Sequence, residues 1–123
     1  MSVAYWCILA GALLPYPFTL LAKSGPGFSN RTPREYLESV TGWRKRADWV
    51  QRNSFEAFPV FAAAVIVAQQ RAAPQHWVDG LAIGWIAARL CYGACYIADA
   101  PTLRSLAWTV ALGCVIALFG LAA

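Results

Sequence analysis

Apolar residues run along this chain in four long stretches separated by short polar links. Val3 to Ala22 contains no charged residue, and neither does Ser105 to Ala122. Trp77 to Ala98 is apolar except for Asp79 and Arg89. Trp49 to Gln70 is divided: Phe58 to Ala68 is apolar throughout, whereas its first half carries Arg52, Asn53 and Glu56. A helix needs about 20 mostly apolar residues to cross a bilayer, and each stretch has that length. The pattern therefore predicts an all-α, integral membrane protein with one domain over residues 1–123 and spans near 3–22, 49–70, 77–98 and 105–122. The links Arg71–His76 and Asp99–Arg104 are short enough to force consecutive helices antiparallel, which gives an up-down four-helix bundle.

Composition strengthens this reading. Of the 123 residues 59% are hydrophobic and only 13% are charged, with a mean hydropathy of +0.49. A small soluble domain needs more polar surface than this, and disorder needs far less apolar content. The net charge of +4 does not form the dense basic stripe of a nucleic-acid module. The leader Met1-Ser2-Val3 carries no basic residue and the first apolar run is long, so the first span is expected to stay as a helix rather than be cleaved. Lys23, Arg31, Arg34, Arg44, Lys45 and Arg46, six of the ten basic residues, lie in the first loop. The excess of Lys and Arg places that loop and the third in the cytoplasm and both termini on the opposite side, as in a cell inner membrane. Turn residues fill the loop's first half, and Glu35 to Trp43 is expected as a short surface helix. Cys7, Cys91, Cys95 and Cys114 all fall inside spans and the single His76 in a loop, so no metal set is expected.

The charged residues within the spans carry the candidate chemistry. A charge at mid-bilayer is costly and therefore faces the protein interior or water, usually beside a partner. Arg52, Asn53 and Glu56 span an arc of about 100° on their helix, and Arg89, Tyr92 and Tyr96 one of about 60° on the next. Counting from the cytoplasmic helix ends, Glu56 and Arg89 both lie about 14 Å deep. The two polar faces then line one cavity with a Glu56–Arg89 ion pair at its floor, an arrangement that also suits a pair serving only to order the bundle. With Asp48 and Asp99 in solvent, Arg52, Arg89 and Arg104 face one carboxylate, and the excess of guanidinium suits an anionic ligand.

Two stretches resemble the membrane-associated eicosanoid and glutathione metabolism family. The first is Arg46-Ala47 with Arg52-Asn53-Ser54-Phe55-Glu56-Ala57-Phe58-Pro59-Val60-Phe61. The second is Arg89-x-x-Tyr92-x-x-x-Tyr96 with Ala100-Pro101-Thr102-Leu103-Arg104-Ser105. The resemblance implies a homotrimer binding glutathione between subunits near the cytoplasmic face. By motif position it implies that Arg52, Asn53, Glu56, Arg89, Tyr92 and Tyr96 contact the tripeptide, and that Arg104 and Ser105 approach its thiol. Trp49 stands where several members carry a further arginine, and Lys23 where some have arginine. The implied activity is a glutathione-dependent transferase or peroxidase acting on a lipophilic electrophile, with glutathione as co-substrate and no bound metal or organic cofactor. Some members bind lipid without catalysis, which keeps a lipid-binding or scaffold role as the alternative. A proton-driven four-span exporter is a third reading, to which a glutamate held among arginines is poorly suited.

Overall fold

The computed structural model describes residues 1–123, which form helices joined by turns, with no strand. The first apolar run is a single rod broken into α1 (Val3–Leu13) and α2 (Pro15–Ala22). Ser2 caps it, its hydroxyl accepting from the Tyr5 amide. Pro15 at the start of α2 lacks the amide proton that would continue the ladder, which is why the rod breaks there. A short α3 (Pro33–Ser39) lies in the first loop, earlier than expected and ending before Val40. The long α4 (Gly42–Gln70), α5 (Gln75–Ile97) and α6 (Pro101–Ala122) follow.

The apolar pattern places the rods correctly but starts two of them late. α4 begins seven residues before Trp49 and α6 four before Ser105. Both early turns are polar or proline-led, and a helix does not end where its side chains turn polar. The links are correspondingly tight. Ala72 and Asp99 adopt positive φ, at 52° and 59°. The amides of Ala73 and Ala100 reach back to the carbonyls of Ala68 and Cys95, closing the ends of α4 and α5 as Schellman turns.

Side-chain bonds between helix ends fix the directions. Arg46, near the start of α4, donates from Nε and Nη2 to the Ile97 carbonyl at the end of α5, at 3.1 and 3.0 Å. Arg71 just past the end of α4 donates to the Ala122 carbonyl at the end of α6. The Ala4 amide donates to Asp79 Oδ1 in α5 at 2.8 Å. Adjacent rods therefore alternate in direction. Small residues let them approach. Gly11 lies against the Trp85 and Phe58 rings, and Gly93 against the Phe18 ring, where a Cβ would collide. The main core joins α1, α4, α5 and α6 around Phe61 and Trp85, whose rings stack at 3.9 Å.

Three helices are long and apolar enough to cross a membrane: Val3–Ala22, Gln75–Ile97 and Pro101–Ala122. α4 is longer, but Arg44, Lys45, Arg46, Asp48, Arg52 and Glu56 crowd its first half.

Candidate functional site

The eight residues singled out by the sequence all line one groove, built on α4, α5 and α6. Asn53 stands where three hollows meet. The first, about 350 Å³, lies between α4 and α5 and is lined by Trp49, Arg52, Asn53, Glu56, Tyr92 and Tyr96. The second, about 480 Å³, runs from Asn53 past Tyr92 and Tyr96 to Arg104 and Ser105 on the first turns of α6. The third lies beneath, with Glu56 and Arg89 on its wall. The short Ala98–Ala100 link is what brings the start of α6 beside the end of α5, and so Arg104 over Tyr96.

Aromatic faces organise the cations. The Arg104 guanidinium lies 4.5 Å from the centre of the Tyr96 ring, and that of Arg89 4.3 Å from Tyr92. Tyr92 and Tyr96 meet edge to face, and Trp49 leans on Tyr96 from α4. Such cation–π contacts hold a guanidinium in place without neutralising it.

The expected Glu56–Arg89 ion pair does not form. Arg89 is 1% exposed, yet its hydrogen-bond partners are neutral: Nη2 donates to Asn53 Oδ1 at 2.7 Å and to Ser54 Oγ at 3.4 Å, while Nε has no partner. Glu56 is exposed on the groove wall and enters no ion pair. Equal depth fixes only height along the helix. Asn53 and Ser54 sit closer to Arg89 around the α4 axis and satisfy it first.

Asp48 is also not solvated. It is fully buried, accepts from Gln51 Nε2 at 2.8 Å, and lies 3.2 Å from Arg52 Nε and 3.6 Å from Lys45 Nζ. Gln51 in turn accepts from the Thr19 hydroxyl of α2. Arg52 is therefore tied to Asp48 on its own helix, while its side chain stays largely exposed at the groove edge. The i,i+4 spacing of Asp48 and Arg52 was visible in the sequence; that α2 and α4 would bury the acid was not. Ser54, a buried partner of Arg89, and Trp108, on the groove wall, also lie outside the set the sequence singled out. Ser54 fell outside the polar arc, and Trp108 read as an ordinary apolar position of α6.

These contacts leave the groove with Arg89 and Arg104 free of any acidic partner and with Glu56 free of any basic one. Arrays of His, Cys, Asp and Glu able to hold a metal ion are absent. The arrangement is a polyionic cradle with hydroxyl and amide donors, open on one side and apolar below.

A membrane-protein class is defined by these apolar helices and this groove, and a family comparison makes it specific. The model of the MAPEG family matches residues 3–123, nearly the whole chain. The chain belongs to the MAPEG family and is a multi-pass membrane protein. No individual curated protein and no solved structure matches it. The Glu56–Arg89 pairing expected from the sequence, which argued against an exporter, is absent.

Proposed function

We propose that the protein is a glutathione-dependent transferase or peroxidase acting on lipophilic electrophiles at the membrane. The observation that carries the reading is the charge in the groove that no protein ion pair neutralises. Arg89 and Arg104 offer two cations and Glu56 one anion. Glutathione brings two carboxylates and one ammonium, the complementary set. Guanidinium groups suit carboxylates through paired N–H donors, and the Asn53 amide and tyrosine hydroxyls suit the peptide groups. Arg52, Asn53, Glu56, Arg89, Tyr92 and Tyr96 hold the tripeptide in this reading, and no metal or bound organic cofactor takes part.

Arg104 and Ser105 act at the thiol. A cation beside the sulfur lowers its pKa, as does the partial positive charge of the α6 N-terminus. The thiol proton passes to water, and the thiolate then attacks an electrophilic carbon or a peroxide oxygen delivered from the bilayer. In the carbon case the leaving group departs with its bonding electrons. In the peroxide case an alcohol leaves and the sulfenic acid formed is reduced by a second glutathione.

In this reading α4 is a fourth span, the rods form an up-down four-helix bundle, and three chains assemble with glutathione between neighbours. The first loop faces the cytoplasm of a cell whose inner membrane holds the trimer. Calorimetry of the detergent-solubilised protein with glutathione is the test. Saturable binding that is lost in Arg89→Leu and in Glu56→Gln supports the reading. Absence of glutathione binding, with saturable uptake of a fatty acid into the same groove, assigns the protein to the family's non-catalytic lipid binders instead.

A further inference from the structure

The proposed reaction needs Arg104 beside the sulfur, yet no ion pair fixes this residue. Its seat is the ring of Tyr96, 4.5 Å from the guanidinium carbon. Tyr96 is only half-buried, so the ring itself must be held. A tyrosine on a helix has two common χ1 positions, and the seat of Arg104 lasts only while the ring keeps one of them.

Two aromatic side chains hold the ring. Tyr92, on the same helix, meets it edge to face at 5.6 Å. Trp49 reaches it from α4, the ring centres 6.0 Å apart at a tilt of 43°. The register of this second contact is fixed on both sides. Arg46, one turn before Trp49, donates to the Ile97 carbonyl, and Asn53, one turn after it, accepts from Arg89. Arg46, Trp49 and Asn53 fall within an arc of about 60° on α4. Three successive contacts thus run down the α4–α5 seam, and the middle one ends on the ring that carries Arg104. Trp49 is 44% exposed and lies outside the core around Phe61 and Trp85, so its ring does not serve that core. Rings in such contact favour particular mutual angles. An uncharged indole also steadies Tyr96 without competing for its face, as a second cation would.

We infer that Trp49 is a positioning residue, which holds the Tyr96 ring and through it the Arg104 guanidinium at the thiol. The part that concerns the thiol rests on the glutathione reading; the coupling of Trp49 to Arg104 through Tyr96 does not. No bond, proton or electron is exchanged at Trp49. It keeps a cation where negative charge develops, and stabilisation of that charge depends on such preorganisation.

The experiment is a double-mutant cycle of Trp49→Leu and Arg104→Ala in the full-length, detergent-solubilised protein. The first readout needs no glutathione: 3-fluorotyrosine in place of Tyr96 is followed by fluorine NMR. Arg104→Ala is expected to move that resonance in the wild-type background, and by about half as much or less in Trp49→Leu, where the guanidinium has already left the ring. The second readout is the ultraviolet titration of the bound thiol at saturating glutathione. Trp49→Leu should raise the thiol pKa by about half a unit and lower turnover at neutral pH about threefold. In the Arg104→Ala background it should change neither. Trp49→Phe, which keeps a ring, should restore most of both. Equal fluorine shifts in the two backgrounds overturn the assignment and leave Trp49 as an interfacial anchor. A thiol titration that Trp49→Leu leaves unchanged, or shifts equally with and without Arg104, overturns it as well. Coupled fluorine shifts in a protein that does not bind glutathione keep the positioning contact and overturn the glutathione reading.

Discussion

At the scale of single residues, the groove assigns different duties to two residues at one depth. Arg89 is enclosed and bonded, so it holds structure as well as charge. Glu56 is exposed and unpaired, so under the proposed function its carboxylate is free for the ligand. Glu56→Gln is accordingly expected to change folding stability by less than about 0.5 kcal/mol in thermal unfolding, as exposed substitutions do. Its glutathione affinity should fall about tenfold, or about 1.4 kcal/mol, by calorimetry. A loss of several kcal/mol in stability would instead restore the buried ion pair. Arg104 tests chemistry rather than binding. Removing a cation from beside a thiolate raises the thiol pKa, so Arg104→Ala should shift the ultraviolet titration of bound glutathione upward. Turnover at neutral pH should drop about tenfold for each unit of that shift, and raising the pH should recover part of it. An unchanged titration would leave Arg104 as a headgroup contact.

At the scale of helices, packing depends on residues with no side chain to spare. Gly93 presents bare backbone to the Phe18 ring, which seats α2 against α5 just below Tyr92. Gly93→Ala forces that ring or the helix to move and should cost about 1–3 kcal/mol, read as a lower midpoint in thermal unfolding. A midpoint equal to wild type would show that Phe18 swings aside freely. The rods themselves were legible because an uncharged run of about 20 residues admits few other readings. Their polar starts were not, since Gly42–Asp48 and Pro101–Arg104 look like loop until a partner accepts their bonds, as the Ile97 carbonyl does for Arg46. The site was legible to the same degree. Arcs on each helix selected residues that do share a groove, but the rotation of α4 relative to α5 decides that Arg89 meets Asn53 rather than Glu56. That rotation is set by contacts such as Phe61 on Trp85, which no periodicity encodes.

At the scale of the whole molecule, the basic residues and the groove mark the same end. Lys23, Arg34 and Arg46 lie toward the end that carries Tyr96 and Arg104, as the bond from Arg46 to the Ile97 carbonyl demonstrates for α4 and α5. If Lys and Arg orient the chain, the groove opens to the cytoplasm. An Arg34→Cys variant, in a background with the four native cysteines replaced by alanine, should react with an impermeant thiol reagent only from the cytoplasmic side. Reaction from the outside alone would invert the protein and place the groove away from the cell's glutathione.

The Ala98–Ala100 link also sets a phase. It joins two rods that carry opposite halves of one site, and it is too short to absorb slack. One residue added between Ala98 and Pro101 turns α6 by up to about 100° if the helix is pushed round rather than bulged. Arg104 then points away from Tyr96, while every apolar position of α6 also loses its place in the core. An inserted residue is thus expected to disturb the core of α6 and the seat of Arg104 together. The turn behaves as a keyed coupling between two shafts, whose teeth are the Asp99 left-handed bend and the ring of Pro101.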